Sequence, residues 1–342
     1  MIDFSTIGGN ILRRLPPEVA HLAALKILRL KLMTPQCQPD PPILAQRCLG
    51  LDFKNPIGLA AGFDKNAETV QPLLQQGFGA VEVGTVTPLP QAGNAKPRVF
   101  RLAQDGAIIN RLGFNSIGVE VFAKRLAHAQ PYRGIVGANI GPNRGSDDPL
   151  EDYRVCFSRL APLVDYLVVN ISSPNTPGLR ALQDRDNLNR LISTLQNRRA
   201  GLSSTHGRSI PLLIKIAPDL DERSRSHIAS VALAQNLDGL LVSNTTTMRP
   251  SHLTSRAQNE PGGLSGRPLF SRSTSLLADM YRRLQGSIPL IGIGGISSGD
   301  DAYMKIRAGA SLVQLYTALT YKGPGLISQI KTELAARIVT DG

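Results

Sequence analysis

Short apolar runs recur eight times between Ile57 and Tyr316, and longer amphipathic stretches separate most of them. The runs are IGLAA from Ile57, GAVEVG from Gly79, GIVGANI from Gly134, YLVVNI from Tyr166, PLLIKI from Pro211, GLLVSN from Gly239, PLIGIG from Pro289 and SLVQLY from Ser311. Each is short and Leu-rich or β-branched, as expected of a strand buried on both faces. The intervening stretches, such as Ala67–Gln76 and Ser224–Gln235, carry helical patterns. Repeated strand–helix units imply a parallel sheet, and eight of them imply a closed α/β (β/α)8 TIM barrel. The 342 residues suit one such barrel with insertions. An open doubly wound sheet is the alternative.

The first 45 residues stand apart. Phe4, Ile7, Ile11 and Leu15 recur at helical spacing. Pro16 and Pro17 end that helix and open a second, whose stripe is Leu22, Leu25, Leu28 and Leu32. Pro35, Pro39, Pro41 and Pro42 then form a stiff linker. The expected organisation is a helical hairpin over residues 1–42 and a catalytic barrel over 43–342. Arg13, Arg14, Lys26, Arg29 and Lys31 give the hairpin basic polar positions. An amphipathic, basic hairpin of this length suits an anionic membrane surface.

Three connections are too long for turns. RVFRLAQDGAIINRLGF reads as a β-hairpin around Asp105-Gly106. SSPNTPGLRALQD follows the fourth strand, and a stretch from Asn244 to Leu269 follows the sixth. Loops after barrel strands lie at the catalytic face, so both are candidate lids.

The strand ends carry asparagine and lysine rather than clustered histidines or carboxylates, which argues against a metal site or a glycosidase pair. Asn110, Asn139, Asn170, Asn175 and Asn244 each offer a donor and an acceptor on one amide. Together they suit a small planar ligand with alternating carbonyl and N–H groups. Taken singly, each reads equally as a turn or helix cap. Gly292–Gly295 and Tyr316-Thr317 follow the seventh and eighth strands, the usual phosphate position of this barrel. Gly262, Gly263 and Gly266 add backbone access, or act as lid hinges. Lys215 interrupts the apolar strand LLIKI, which calls for an anion nearby. Lys65 suits a substrate carboxylate, or is a solvated loop lysine.

Formal net charge is +12, which favours anionic partners without choosing among them. Cys37, Cys48 and Cys156 have no CxxC spacing, so neither a metal nor a redox pair is expected. The N-terminus lacks a signal-peptide pattern, and no stretch approaches the roughly 18 apolar residues of a spanning helix. A soluble or peripheral cytoplasmic protein is expected.

In order along the chain, AAGFDKN, NRLGFNS, NISSPNTPGLRALQ, SNTTT, GGLSGRPL and GIGGISS resemble the quinone-dependent dihydroorotate dehydrogenases. The resemblance runs from about His21 to the last helix. It implies FMN-dependent oxidation of (S)-dihydroorotate to orotate in pyrimidine synthesis, with electrons leaving to a membrane quinone. By the same resemblance, Ser173 is the base for the C5 proton, and hydride passes from C6 to flavin N5. Lys65, Asn110, Arg111, Leu112, Gly113, Phe114, Asn170, Asn175, Asn244 and Thr245 resemble the orotate-binding set. Ala61, Gly62, Phe63, Asp64, Lys65, Thr85, Asn139, Asn170, Lys215, Ser243, Gly266, Gly295, Tyr316 and Thr317 resemble the FMN set. His21 and Arg101 resemble residues near a quinone tunnel. Soluble classes of the family place cysteine where Ser173 stands. A peripheral monomer at the cytoplasmic face of the inner membrane, with no nucleic-acid partner, is expected.

Two rivals remain. A tRNA-modifying flavin barrel suits the basic charge, but such enzymes resemble a barrel with a further helical domain and a catalytic cysteine. A basic membrane-surface module without catalysis leaves the strand-end asparagines unexplained.

Overall fold

All eight apolar runs become parallel strands of one closed barrel in the computed structural model, which describes residues 12, 14–36, 39–206 and 209–341. In chain order the strands are β1 (Gln46–Cys48), β2 (Leu51–Phe53), β3 (Ile57–Leu59), β4 (Ala80–Val86), β5 (Val99–Leu102), β6 (Ala107–Asn110) and β7 (Ile135–Ile140). They continue as β8 (Tyr166–Asn170), β9 (Leu212–Ile216), β10 (Gly239–Val242), β11 (Gly263–Gly266), β12 (Leu290–Ile293) and β13 (Leu312–Leu315). The barrel order is β3-β4-β7-β8-β9-β10-β12-β13, closing back on β3. The helices are α1 (Pro17–Arg29), α2 (Val70–Leu74), α3 (Val119–Ala129), α4 (Pro149–Leu160), α5 (Arg185–His206), α6 (Glu222–Ala234), α7 (Phe270–Leu284), α8 (Gly299–Arg307), α9 (Thr317–Lys322) and α10 (Gly325–Asp341). Asp148, Asp221 and Ser298 cap α4, α6 and α8 by accepting from the backbone N–H three residues on.

Strand alternation divides the core in two. Ile57, Leu59, Val81, Val83, Val136 and Ala138 belong to the large cluster under the helices. Ala80, Val168, Leu213 and Leu312 belong to the smaller inner cluster. Two residues beyond each of these four, on the same side of its strand, stand Glu82, Asn170, Lys215 and Gln314. The barrel therefore carries an apolar inner layer and, nearer the C-terminal strand ends, a polar one. The β1–β2 hairpin adds Cys48 and Phe53 to the inner cluster. Its turn, Leu49-Gly50, has positive φ at both residues, as a two-residue hairpin requires. A leucine there gave no turn signal in the sequence.

The expected hairpin around Asp105-Gly106 forms as β5 and β6. It gains a third strand: β11 pairs antiparallel with β6, Gly263 opposite Asn110 and Gly266 opposite Ala107. Gly263 and Gly266, two of the three glycines read as lid hinges, are thus ladder residues, and at Gly263 a Cβ would lie 1.9 Å from Thr245 Oγ1.

The second N-terminal helix forms as α1, with Pro17 in its first turn. The first, expected over Phe4, Ile7, Ile11 and Leu15, lies largely outside the described residues, as does Cys37. The Leu22–Leu32 stripe divides: Leu25 and Leu28 are buried in the main core, while Leu22 and Leu32 are exposed beside Val19 and Leu30. Nor is the proline-rich stretch a free spacer. Asp40 pairs with Lys331 at 2.5 Å and accepts from Asn55 Nδ2 at 2.7 Å. Arg98 pairs with Glu18 of α1 at 3.0 Å.

Inside the barrel, a Cβ on Gly137 would fall 2.1 Å from Tyr166 Cζ. Gly137→Ala is expected to destabilise by about 1–3 kcal/mol or more. Gly201→Ala in α5, where nothing among the described residues outside the helix's own backbone lies within 4 Å of the added Cβ, should instead stabilise by about 0.5–1 kcal/mol. Urea unfolding of both variants measures the contrast, and equal effects would refute it.

Candidate active site

A cavity of about 410 Å³ opens at the C-terminal ends of the barrel strands. Ala61, Gly62 and Lys65 reach it from the loop after β3, and Thr85 from β4. Asn110, Leu112, Gly113 and Phe114 line it from the end of β6 and beyond. Asn170, Ser173 and Asn175 enter after β8, Lys215 from β9, and Ser243, Asn244 and Thr245 after β10. Gly266, Gly295, Tyr316 and Thr317 complete the expected set on its wall. Two non-proline cis peptides, Gly84–Thr85 and Val242–Ser243, stand at this end.

Six expected residues do not line the cavity. Asp64 is fully buried, its carboxylate accepting from Glu68 N, Thr69 N and Thr69 Oγ1. Phe63 packs edge-on against His21 and Tyr316, with ring centroids 5.2 and 5.6 Å away. His21 is itself held down to about 4 by burial and by Lys65. Arg101 donates to the Leu15 carbonyl at 2.8 Å, tying the hairpin sheet to the chain before α1. Arg111 pairs with Glu260 at 2.7 Å and lies over the Phe100 ring. Asn139 stands beneath the wall, within a buried network.

That network is continuous. Asn244 Nδ2 donates to Ser172 Oγ at 3.0 Å, and Ser172 Oγ donates to Asn170 Oδ1 at 3.1 Å. Asn170 Nδ2 donates to Thr85 Oγ1 and Asn139 Oδ1 at 3.1 and 3.2 Å. Asn139 Nδ2 and Gln314 Nε2 then donate to the two oxygens of Glu82 at 2.8 and 2.7 Å. Burial pushes the Glu82 carboxyl up, and Lys215 and the donated hydrogen bonds oppose it. Burial likewise lowers Lys215, with Glu82 opposing. Lys65 is brought to about 8 by burial and by repulsion from Arg98 and Lys215. The cavity therefore presents two desolvated lysines, only one of which faces a carboxylate, and is built to take an anion.

Ser173 is buried, and its Oγ accepts from Asn175 N at 3.2 Å. Asn175 Nδ2 reaches across to the Asn110 carbonyl at 3.1 Å, joining the β8 loop to the hairpin sheet. Arg180 clasps the same loop from behind. It donates to the Ser172 and Thr245 carbonyls at 3.2 and 3.3 Å and pairs with Asp219 at 3.2 Å. Despite burial, hydrogen bonds from Thr246 and Thr247 and the charge of Arg180 hold the Asp219 carboxyl below its usual range.

At the opposite end, the backbone N–H groups of Gly295 and Ile296 have no protein partner among the described residues. Gly295 has φ +80°, and a Cβ on it would lie 2.5 Å from Phe270 Cβ. Gly266 is equally tight, 2.4 Å from the Gly106 carbonyl oxygen. Two bare amides behind side-chain-free backbone fit a phosphate.

Glu82, Gln314 and the Arg180–Asp219 clasp were not anticipated. Glu82 and Gln314 are lone polar residues in AVEVG and LVQLY, the same signal that marked Lys215. Arg180 and Asp219 have no such signal, because both sit in connections between barrel strands.

Fold and cavity together define a (β/α)8-barrel enzyme with a lysine- and asparagine-lined cavity at its C-terminal face. The family model for dihydroorotate dehydrogenase matches residues 43–338. A dihydroorotate dehydrogenase (quinone) of Xanthobacter autotrophicus is 51% identical, over 100% of this chain and 96% of its own length. A mitochondrial dihydroorotate dehydrogenase (quinone) of Oryza sativa is 50% identical, over 96% of this chain and 75% of its own. The crystal structure of ligand-free DHODH from Eimeria tenella superposes with a TM-score of 0.92 at 44% identity, covering 95% and 96% of the two chains. The chain belongs to the dihydroorotate dehydrogenase family, whose members are flavin-dependent.

Removing Glu82 strands Asn139, Gln314 and Lys215 together. Glu82→Ala is expected to lower unfolding free energy by roughly 3–5 kcal/mol. Chemical denaturation measures this, and a loss under about 1 kcal/mol would mean the network adds little.

Proposed function

We infer that this chain oxidises dihydroorotate to orotate and passes the electrons to a quinone, the redox step of pyrimidine biosynthesis. One observation carries the reading at the level of chemistry: lysines and asparagine amides converge with Ser173 on a single cavity. A dihydroorotate ring offers alternating carbonyl and N–H groups and a carboxylate, which match that lining. The full-length identity of about 50% to quinone-linked relatives supports the same acceptor.

We propose FMN as the flavin, with its phosphate on the amides of Gly295 and Ile296. Bound there, the flavin supplies the hydride acceptor. Lys215, in the polar layer of the barrel, would offset negative charge on the bound ring. Gly62, Thr85, Asn170 and Ser243 flank the remainder of the group. Lys65 takes the substrate carboxylate, and Asn110, Asn175 and Asn244 hold the ring edge. Ser173 removes the C5 proton. A serine is a weak base alone, so it needs a relay and a dry cavity. Thr176, three residues on, has a buried hydroxyl with no hydrogen-bond partner among the described residues and is a candidate relay.

Residues 1–42 are proposed as the membrane and quinone lobe on a barrel of residues 43–342. Val19, Leu22, Leu30 and Leu32 form an exposed apolar face near Lys26 and Lys31, suited to an anionic bilayer surface. The His21–Phe63–Tyr316 contact runs from α1 to the cavity wall and suits an apolar path for quinone. No helix among the described residues is long and apolar enough to cross a membrane. A peripheral monomer at the cytoplasmic face of the inner membrane is the proposed setting.

Anaerobic mixing with dihydroorotate tests the reading directly. The bound flavin should bleach, and reoxidation should be fast with quinone and slow with fumarate or NAD. A flavin that stays oxidised refutes the function. Ser173→Ala should still bind flavin and orotate but bleach about 100-fold more slowly. Near-normal bleaching would remove Ser173 as the base.

Lys65 gives a pH test. Its ammonium, lowered to about 8, is charged below that pH and neutral above it. Orotate affinity should fall roughly tenfold between pH 7 and 9, as the cation is lost. A dissociation constant that stays flat over that range would free Lys65 from the carboxylate.

A further inference from the structure

Three lysines are buried among the described residues, Lys215, Lys305 and Lys331. Lys331 pairs with Asp40, and Lys215 faces Glu82. Lys305, in α8, is fully buried; like Lys215 it has no carboxylate within ion-pair distance among the described residues, and Asp301 bears on it as Glu82 does on Lys215. Its Nζ donates to Ser273 Oγ of α7 at 2.6 Å and lies 5.1 Å from the Phe270 ring centroid. Nothing in the proposed reaction uses it. Burying an ammonium on so few partners calls for a reason.

The reason lies one bond further on. An ammonium can only donate, so it occupies a lone pair of the Ser273 hydroxyl. The hydroxyl hydrogen is left for the two carbonyls within reach, Phe270 O at 3.0 Å and Gly294 O at 3.2 Å. Shared between them, that hydrogen holds the Gly294 carbonyl toward the interior between α7 and β12. In a trans peptide, the C=O of one residue and the N–H of the next point in opposite directions. The Gly295 N–H therefore points the other way, toward the cavity that Gly295 lines. With glycine at both positions and positive φ at each, no side chain fixes this peptide, and its hydrogen bonds must. Turned over, it would present a carbonyl oxygen to the anion.

We propose that Lys305 and Ser273 are a positioning pair, locking the Gly294–Gly295 peptide with its N–H toward the cavity and so setting the preference for a phosphorylated over an unphosphorylated flavin. The inference rests on the FMN reading above. Burial brings the Lys305 ammonium to about 7, with Asp301 opposing. A phosphate in the loop would help hold its proton.

The test compares FMN with riboflavin, which lacks only the phosphate. The flavin is stripped from the purified holoenzyme, and both flavins are titrated by fluorescence quenching. Wild type should favour FMN. Lys305→Met and Ser273→Ala should each cut the FMN-to-riboflavin affinity ratio about tenfold, the worth of one charge-assisted hydrogen bond, with riboflavin affinity little changed. Each single variant strands a buried group and can impair folding. The double variant Ser273→Ala with Lys305→Met removes the polar pair whole, which is far better tolerated, and should show the same loss. A folded double variant that keeps the wild-type ratio overturns the proposal. So does a parallel fall for both flavins, which would make the pair merely structural. Wild type that does not favour FMN refutes the phosphate assignment itself, and the inference with it.

Discussion

Glu82 sits on the inner face of β4, above a mostly apolar inner layer, and it is bonded from several sides. Asn139 and Gln314 both donate to it, and Lys215 faces it. One wall of the cavity, from Thr85 to Asn244, is stacked on that carboxyl. Asn139 holds Thr85 and Asn170, Asn170 holds Ser172, and Ser172 holds Asn244. Buried amides satisfied in sequence have little freedom to turn, so their outward faces keep one pattern of donors and acceptors. A planar ligand above them meets a preorganised surface, and a charged one meets Lys215 at the centre of it.

The barrel was legible because its strands are buried on both faces and punctuated by helices, a pattern that few folds share. The polar layer was only partly legible. Lys215 stood out as a cation in LLIKI, yet Glu82 in AVEVG carries the same signal with the opposite charge. Alternation alone would have placed both on the inner face, since each lies two residues beyond an inner apolar position. That the two charges bear on each other was not legible, because they sit on strands that are not neighbours in the barrel. The hydrophobic stripe of α1 misled for a related reason. Helical spacing finds one apolar face, but here Leu25 and Leu28 turn inward while Leu22 and Leu32 are exposed. The β1–β2 turn and the strand β11 were missed because a leucine in the left-handed region and a glycine-rich strand both run against local propensity. Their conformations are imposed by tertiary contact: Gly263 has no room for a Cβ beside Thr245.

The residues off the cavity wall separate two jobs that motif reading runs together. Asp64 in AAGFDKN spends its carboxylate on the turn that carries Lys65, and Arg111 in NRLGFNS ties the hairpin sheet to Glu260. Both segments reach the cavity through neighbours, so a motif matched as a block mixes residues facing the ligand with residues shaping the loop. Arg180 is the clearest instance. It stands in NTPGLR, and its guanidinium binds the Ser172 and Thr245 carbonyls and Asp219. Those carbonyls adjoin Ser173 on one loop and Asn244 on the other. A single planar, five-donor group thus couples the loop bearing the proposed base to the loop bearing a proposed ring-binding amide. An apolar seal between two such loops would resist opening. A partly exposed cation bonded to backbone carbonyls holds two loops in register while leaving them able to part, because water can replace each of its bonds as it breaks.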